Sequence, residues 1–168
     1  TVIKAFGATT ASDNWNISIG EFAGYPDTVV FHDQRLFLMN RITIWGSRTG
    51  SFEDFELGDS ADYGIRITLA SNNVNDGVWL DSIRELAIGT IGGCFIASNV
   101  SDATAIPNIR KQNAYGSAAI QPKKISSYTY FATKNNKKIR EIVYNFDLDG
   151  YQAVDVTLLS EHILGSGV

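Results

Sequence analysis

The residues that could act as nucleophile or base are few in this sequence and widely spaced. A nucleophilic hydrolase needs a Ser or Cys nucleophile, a His base and an acid that orients the base. The chain has two histidines, His32 in a strand-like run and His162 near its end, and one cysteine, Cys94, in the apolar run GGCFIA. No Gly-x-Ser-x-Gly elbow is present in the sequence. A thiol in an apolar strand is ordinarily buried and inert, so this pattern disfavours a nucleophilic hydrolase.

The segment NFDLDG comes nearest to a metal-binding pattern. It places Asn145, Asp147, Asp149 and Gly150 at positions 1, 3, 5 and 6 of a calcium loop. Position 12, which needs a bidentate Glu, is Val156. Because Asp and Gly also supply the backbone geometry of tight turns, we expect a turn that ends a strand. The sequence has no Cys/His cluster with zinc spacing, and we predict neither a metal nor a cofactor.

Carboxylates and glycines suggest no catalytic site either. Glu53, Asp54 and Glu56 are close together in a stretch typical of an exposed turn, whereas a glycosidase needs two carboxylates that face each other across a cleft. The stretch SRTGSFEDF is only superficially similar to the Asp-box of sialidase-type propellers. GTIGGC lacks the Lys and the following helix of a phosphate-binding loop. The sequence therefore predicts a protein that is not an enzyme.

The net charge of −4 is distributed unevenly. Residues 1–102 carry −7, residues 103–140 carry +8 with no acid, and residues 141–168 carry −5. Such segregation can mark a polyanion contact or complementary subunit faces, and the alternative is a solvated loop and hairpin tip, which KNNKK favours. We call the cations of the middle segment the basic patch. They are Arg110, Lys111, Lys123, Lys124, Lys134, Lys137, Lys138 and Arg140.

Length and composition predict one globular domain rich in strands. The chain has 168 residues, of which 44% are hydrophobic, with 15 glycines and three prolines. That length can bury a core. No apolar run reaches the roughly 18 residues needed to span a bilayer. The chain begins without Met in the middle of a strand-like pattern, so we expect a fragment of a longer protein.

Alternating apolar residues and β-branched runs predict strands along most of the chain. The predicted strands are 28–33, 35–40, 41–47, 65–71, 77–83, 84–90, 93–98, 124–133 and 138–146. Turn-forming residues join them, and TKNNKK is predicted to be a hairpin tip. One short helix is expected over residues 155–164, where Val156, Leu159 and Ile163 share a helical face and Asp155 can cap the first turn.

The strand groups repeat along the chain. Leu36, Leu86 and Tyr130 occupy equivalent positions, at offsets of 50 and 44 residues. Periods of roughly 40 to 50 residues with several short strands each are typical of β-propeller blades. We therefore predict an all-β fold whose antiparallel strands form several propeller-type blades, with one short C-terminal helix. The predicted blades are 24–58, 65–100 and 108–151, and because closure needs at least about four blades, they form part of a propeller.

Two segments carry a family resemblance. GYPDTVVFHDQRLFLMN (24–40) and IWGSRTGSFEDFELG (44–58) closely resemble the tail tubular protein B, or tail nozzle, family of short-tailed phages and their prophage relatives. The positions that match the family pattern are Gly24, Tyr25, Pro26, Phe31, Arg35, Leu36, Trp45, Ser47, Arg48, Gly50, Phe52 and Phe55. Later segments are similar to the family in the same order, at 65–71, 84–98, 112–122 and 140–164.

The resemblance implies a structural component of the virion tail, made in the host cytoplasm or encoded by a prophage. In that family a propeller forms part of a hexameric tube that contacts other tail proteins and through which DNA passes without sequence recognition. No enzymatic activity, cofactor or metal is implied. Because a basic channel would grip the phosphate backbone, we expect residues 103–140 to face neighbouring subunits or the outer surface.

Two other functions stay open. A propeller-like module could recognise host glycan, or a partner tail protein, through Tyr25, Trp45, Tyr115 and Tyr151, which would then share an exposed face. A propeller hydrolase would instead place paired carboxylates in a central pocket.

The corner formed by residues 44–58 also has a predicted structure. We expect Trp45 to pack between sheets and Gly46 and Gly50 to make room for a turn. Phe52 and Phe55 should hold the following loop against the blade, and Arg48 should pair with Glu53 or Asp54 or reach a neighbouring subunit.

Overall fold

A computed structural model describes residues 25–69 and 75–158. Within these ranges the chain forms twelve antiparallel strands in three sheets of four, and within each sheet every strand pairs with the next along the chain. Sheet 1 consists of β1 (Thr28–His32), β2 (Arg35–Asn40), β3 (Thr43–Gly46) and β4 (Ile65–Thr68). Sheet 2 consists of β5 (Gly77–Ser82), β6 (Leu86–Thr90), β7 (Gly93–Ser98) and β8 (Asn108–Asn113). Sheet 3 consists of β9 (Lys123–Ile125), β10 (Tyr128–Ala132), β11 (Ile139–Asn145) and β12 (Gly150–Asp155).

Residues with positive φ and side-chain hydrogen bonds form the turns of the hairpins. Asp33 and Gln34 link β1 to β2 and both have positive φ, as a two-residue hairpin loop of matching twist requires. The predicted TKNNKK tip is confirmed between β10 and β11, with Asn136 at a φ of 55°. The NFDLDG segment forms the expected turn, because the Asn145 side-chain oxygen accepts the backbone N–H of Asp147 at 2.9 Å.

The three sheets pack face to face in chain order, so that sheet 2 is covered on both faces. Its Leu80, Ile88 and Phe95 pack in one apolar cluster with side chains of sheet 1, such as Phe37 and Ile44. The opposite face packs in a second cluster, in which Trp79, Ala87 and Ile96 meet Phe131 and Ile142 of sheet 3. Burial on both faces explains why β6 and β7 are apolar at nearly every position.

The outer faces of sheets 1 and 3 retain exposed apolar side chains. On sheet 1 these include Val29 and Phe31, which are 52% and 62% exposed. On sheet 3 they include Ile125, Tyr128 and Val154, which are 62%, 44% and 48% exposed. Both ends of the stack therefore present apolar surface.

The predicted all-β class is confirmed, but the strands are grouped differently from the predicted blades. Residues 65–68 complete sheet 1 instead of opening the second blade, and residues 108–113 complete sheet 2 instead of opening the third. Alternating hydrophobicity reveals a strand but does not identify its partner. In both cases a long connection separates the fourth strand from the first three. The prediction therefore assigned that fourth strand to the following blade.

Two smaller predictions also change. The predicted strand 124–133 is two strands, β9 and β10, because Ser126 adopts a φ of 57° and turns the chain. The predicted helix over 155–164 does not form in its described part, where β12 ends at Asp155 and a bend follows; residues 159–164 lie outside the described residues. The described ranges contain no helix long and apolar enough to cross a membrane.

Gly89 tests the packing between sheets 2 and 3. A Cβ atom at this position would lie 2.0 Å from the Trp79 ring, and Trp79 is completely buried. Gly89→Ala should therefore lower the free energy of unfolding by about 1–3 kcal/mol through overpacking. Urea unfolding followed by tryptophan fluorescence measures this. Gly150→Ala is the control, because its nearest neighbour is a flexible side-chain oxygen at 3.1 Å; equal midpoints for the two variants would contradict the prediction.

Candidate functional site

Arg35, at the start of β2, is completely buried. Its Nη1 atom donates to the carbonyl oxygens of Ser47 and Tyr63, both at 2.6 Å. Its Nη2 atom donates to those of Ala61 at 2.5 Å and Ser101 at 3.0 Å, and Nε donates to Ser101 at 3.2 Å. The planar guanidinium thus joins the loop that follows β3 to the loop that follows β7. We call this arrangement the Arg35 junction.

The Arg35 junction is a structural site. Burial lowers the pKa of Arg35, and the nearby carboxylates of Asp62 and Asp102 oppose that shift. An arginine stays charged in proteins, and this charge is stabilised by carbonyl dipoles and not by a direct ion pair among the described residues. All the hydrogen bonds join segments of the same chain, so the site fixes loops.

Arg48 organises the surface of the same corner. Its Nη2 atom lies 2.6 Å from Asp62 Oδ2, its Nη1 atom lies 3.5 Å from Asp54 Oδ2, and its guanidinium lies 4.3 Å from the Tyr63 ring centroid. The hydrogen bond with Asp62 raises the pKa of Arg48 and lowers that of Asp62. The predicted pairing with Asp54 is confirmed. Asp62 was missed because it lies fourteen residues away along the chain, where spacing gives no signal.

The aromatic residues of the corner divide into a buried and an exposed pair. Trp45 and Phe55 are buried together with Leu38, on the outer face of sheet 1. The prediction that Trp45 packs between two sheets is therefore wrong within the described ranges, since the loop that carries Phe55 packs against it. Phe52 is 42% exposed and meets Phe31 edge to face at 5.1 Å.

Backbone contacts hold the turn of this corner in place. Gly50 has a φ of 72°, as a tight turn requires, and its N–H donates to the Gln34 carbonyl at 2.9 Å. The buried Ser47 hydroxyl accepts the N–H of Leu36, also at 2.9 Å.

The structure brings most of the family-motif residues into this one corner. Those that meet there are Phe31, Arg35, Leu36, Trp45, Ser47, Arg48, Gly50, Phe52 and Phe55. Tyr25 and Pro26 are exposed ahead of β1, and the Tyr25 carbonyl accepts a hydrogen bond from the Asn40 side chain at 2.8 Å. Gly24 lies outside the described residues.

Ser82, His32 and Asp33 meet, although the sequence separates Ser82 from His32 by 50 residues. His32 Nδ1 lies 2.9 Å from Ser82 Oγ, and Nε2 lies 3.5 Å from Asp33 Oδ2. The second distance exceeds that of a well-formed hydrogen bond, so Asp33 does not orient the ring as a triad acid would. Burial lowers the pKa of His32. The Ser82–His32 contact links β5 to β1 and thus joins sheet 2 to sheet 1.

The remaining candidate groups are the cysteine, the second histidine and the acidic residues that could bind a metal. Cys94 is buried as expected, and burial raises the pKa of its thiol to about 11. His162 lies outside the described residues. Within the described ranges, no group of three or more His, Cys, Asp or Glu residues could hold a metal ion.

The basic patch does not form one surface. Arg110 and Lys111 lie on β8, and Lys123 and Lys124 lie on β9. Lys134, Lys138 and Arg140 line a common cleft, which has a volume of about 550 Å³. We call it the basic cleft. Its other walls include Tyr115, Gly116 and Asn135.

Arg140 and Lys138 are held in place at the base of the basic cleft. The Arg140 guanidinium carbon lies 3.4 Å from the Tyr115 ring centroid, and Nη1 donates to the Ala153 carbonyl at 2.7 Å. Lys138 Nζ lies 2.9 Å from Asp155 Oδ2. The hydrogen bond from Lys138, reinforced by Thr157, lowers the pKa of Asp155 to about 2.

A second, smaller cleft also lies between sheets 2 and 3. It has a volume of about 140 Å³ and holds two carboxylates, Glu85 and Asp149, beside Arg84 and Arg110. The Asp149 carboxylate already has a hydrogen-bond partner, because it accepts the hydroxyl hydrogen of Tyr144.

No protein-family model matches this chain, and no curated protein matches it significantly. The resemblance to the nozzle family therefore stays a prediction that rests on the motifs themselves.

Replacing Arg35 should destabilise the protein strongly. Arg35→Met leaves four carbonyls without their donor, so we expect a loss of about 3–5 kcal/mol in the free energy of unfolding. Arg41→Met is the matched control, since the Arg41 side chain is 70% exposed and contacts Asp76 at 3.5 Å. Chemical denaturation measures both variants. A similar, small loss in the two would show that the Arg35 junction contributes little.

The Lys138–Asp155 pair predicts a pH dependence. Because the folded pKa of Asp155 is about 2, below the usual value near 3.9, its ionised form stabilises the fold above about pH 4. That stabilisation is lost as the pH falls toward 2. Asp155→Asn should therefore lower the melting temperature at pH 7, and the difference from wild type should disappear near pH 2. Asp147→Asn, in an exposed turn, is the control; a gap that persists at pH 2 would contradict the assignment.

Proposed function

We propose that this chain is a propeller segment of a phage tail nozzle, a structural protein that contributes to the conduit for DNA ejection. The observation that carries the proposal is the succession of three four-stranded antiparallel meanders that pack face to face in chain order. Propeller blades have this strand number and this order. The function follows from the family resemblance, and the sheet succession supports it.

The apolar outer faces support a continuation of the stack. Val29 and Phe31 on sheet 1, and Ile125 and Val154 on sheet 3, would be covered if a further sheet packed at each end. Contiguous exposed apolar patches on soluble proteins usually mark such contacts. Either further blades or neighbouring subunits of a ring would supply the cover.

The motif corner also supports a structural role. Arg35, Ser47 and Trp45 are buried and engaged in packing or backbone hydrogen bonds, and none of them presents a reactive group to solvent. The residues that carry the family resemblance thus serve the geometry of the sheet. This is the pattern expected for a protein that works by shape and assembly.

Exposure of the aromatic residues argues against the glycan-binding alternative. Trp45 and Tyr151 are only 4% and 8% exposed, whereas Tyr25 is 92% and Tyr115 45% exposed. The four rings therefore do not form one exposed platform. A hydrolase is disfavoured because the cleft with two carboxylates has only about 140 Å³, well below the roughly 300 Å³ of small ligand sites.

The proposal predicts an oligomer. The complete gene product that contains this chain should form hexameric rings, visible by negative-stain electron microscopy and with the corresponding mass in light scattering. Ile125→Glu with Val154→Glu should disrupt assembly because it places charges on the outer face of sheet 3. Lys137→Glu, in the exposed hairpin tip, is the control.

A lasting monomer that binds glycan on an array would overturn the proposal. A hexamer map in which Lys123, Lys124 and Lys137 line the pore would instead contradict the expectation that residues 103–140 face neighbouring subunits or the outer surface, because cations in the pore would retain DNA.

A further inference from the structure

The outer face of sheet 1 is covered over only part of its width. The loop after β3 packs Phe55 against Trp45, and both rings are buried. Along β1, however, Val29 and Phe31 are 52% and 62% exposed, and Phe31 meets the exposed Phe52 edge to face. We call Val29, Phe31 and Phe52 the sheet-1 face. It is the apolar surface at one end of the stack that the loop leaves open to water.

The outer face of sheet 3 is open at the other end of the stack. Ile125 of β9 pairs with Tyr128 of β10, and both are exposed on the side away from sheet 2. Val154 of β12 lies on the same side, because it pairs with Glu141, which pairs in turn with Tyr130. We call Ile125, Tyr128 and Val154 the sheet-3 face.

The two faces occupy equivalent positions in their sheets. Inside the stack the first strands of the sheets lie side by side, because the Thr28 hydroxyl on β1 accepts the Leu80 N–H of β5 at 3.4 Å and donates to Gln121, just ahead of β9, at 3.2 Å. The sheet-1 face follows β1, the first strand of sheet 1, and Ile125 lies on β9, the first strand of sheet 3. A second copy stacked in the same manner would therefore bring its sheet-1 face against Ile125.

The two ends of the stack also carry opposite charge. Sheet 1 with its loops (25–69) carries seven carboxylates and four arginines, a formal charge of −3, and one of those arginines, Arg35, is completely buried. Sheet 3 with its turns (123–158) carries six cations and four carboxylates, a formal charge of +2. Unlike ends of two copies therefore attract each other, whereas like ends repel. Charge thus favours contact of sheet 3 with sheet 1 over contact of either sheet with itself.

We propose that the sheet-3 face docks on the sheet-1 face of a second copy of this chain. Docking removes apolar side chains of both copies from water, and the opposite charges determine which ends meet. Because the contact joins two different surfaces, each added copy leaves one sheet-1 face and one sheet-3 face free, and association continues until a ring closes. Such docking rests on the proposed function for its role, as the contact that would join neighbouring subunits of the tail.

Two matched variants test the docking, each with a glutamate in place of an exposed β-branched residue. Val29→Glu places a charge on the sheet-1 face, and Ile125→Glu places one on the sheet-3 face. In size-exclusion chromatography with light scattering, the 168-residue chain should have at least twice the mass of a monomer at tens to hundreds of micromolar. Each variant alone should be a monomer, because burial of an unpaired carboxylate opposes docking.

Mixing the two variants distinguishes docking of unlike faces from docking of like faces. The intact sheet-3 face of Val29→Glu can dock on the intact sheet-1 face of Ile125→Glu, so the mixture should form a species of two copies and none larger. Its formation also shows that both variants fold. Ile106→Glu is the control and should keep the wild-type mass, since Ile106 is 88% exposed in the loop between β7 and β8 of the middle sheet.

Three results would each overturn the docking. The first is a wild-type chain that stays monomeric at these concentrations. The second is wild-type assembly by either single variant, which would show that like faces pair or that other surfaces hold the copies together. The third is a mixture that stays monomeric although both variants have the circular dichroism of the wild type. None of these results bears on the hexamer of the complete gene product, so the proposed function fails or stands by its own test.

Discussion

A buried guanidinium determines how the first two sheets meet. The loop between β3 and β4 and the loop after β7 lack regular ladder partners, yet their carbonyls point inward, where a polar group needs a hydrogen bond. Arg35 supplies donors to four of them. With the loop fixed in this way, Phe55 can pack against Trp45 and Arg48 can meet Asp62. The surface of the corner thus depends on one charge inside it.

The middle sheet connects this corner to the basic cleft. Trp79 and Ile96 face sheet 3, whereas Leu80 and Ile88 face sheet 1, so displacement of either neighbour would expose half of the middle sheet. The Ser82–His32 contact ties sheet 2 to sheet 1 at one edge, and the Thr129 hydroxyl, 2.6 Å from Asp81, ties it to sheet 3. Apolar packing alone does not fix how one sheet is positioned along its neighbour. These polar contacts fix that relative position.

The sequence was most informative where local chemistry decides the structure. The apolar and aromatic residues of Arg35–Asn40 predicted a strand correctly, and the Asn-Asn turn at 135–136 predicted a hairpin correctly. Pairing across long connections was not predictable, as Ile65–Thr68 shows, because nothing in four residues specifies a neighbour. The Arg35 junction was hidden, because its partners are backbone carbonyls, which leave no spacing pattern. The cations of the basic cleft belong to the predicted basic patch, whereas the contact of Arg140 with Tyr115 was not predictable, because the two residues lie on different elements.

The bond between Arg35 and Ser101 has a consequence for synthesis of the chain on the ribosome. All the pairs within each sheet are between strands consecutive in sequence, so contact order within a sheet is low and a sheet can form soon after its last strand emerges. Arg35 is different, since its partner Ser101 lies 66 residues downstream. Until that segment has left the exit tunnel, two of the guanidinium's donors have no acceptor from sheet 2. Sheet 1 of a nascent chain therefore lacks these hydrogen bonds of Arg35 until the second meander has emerged.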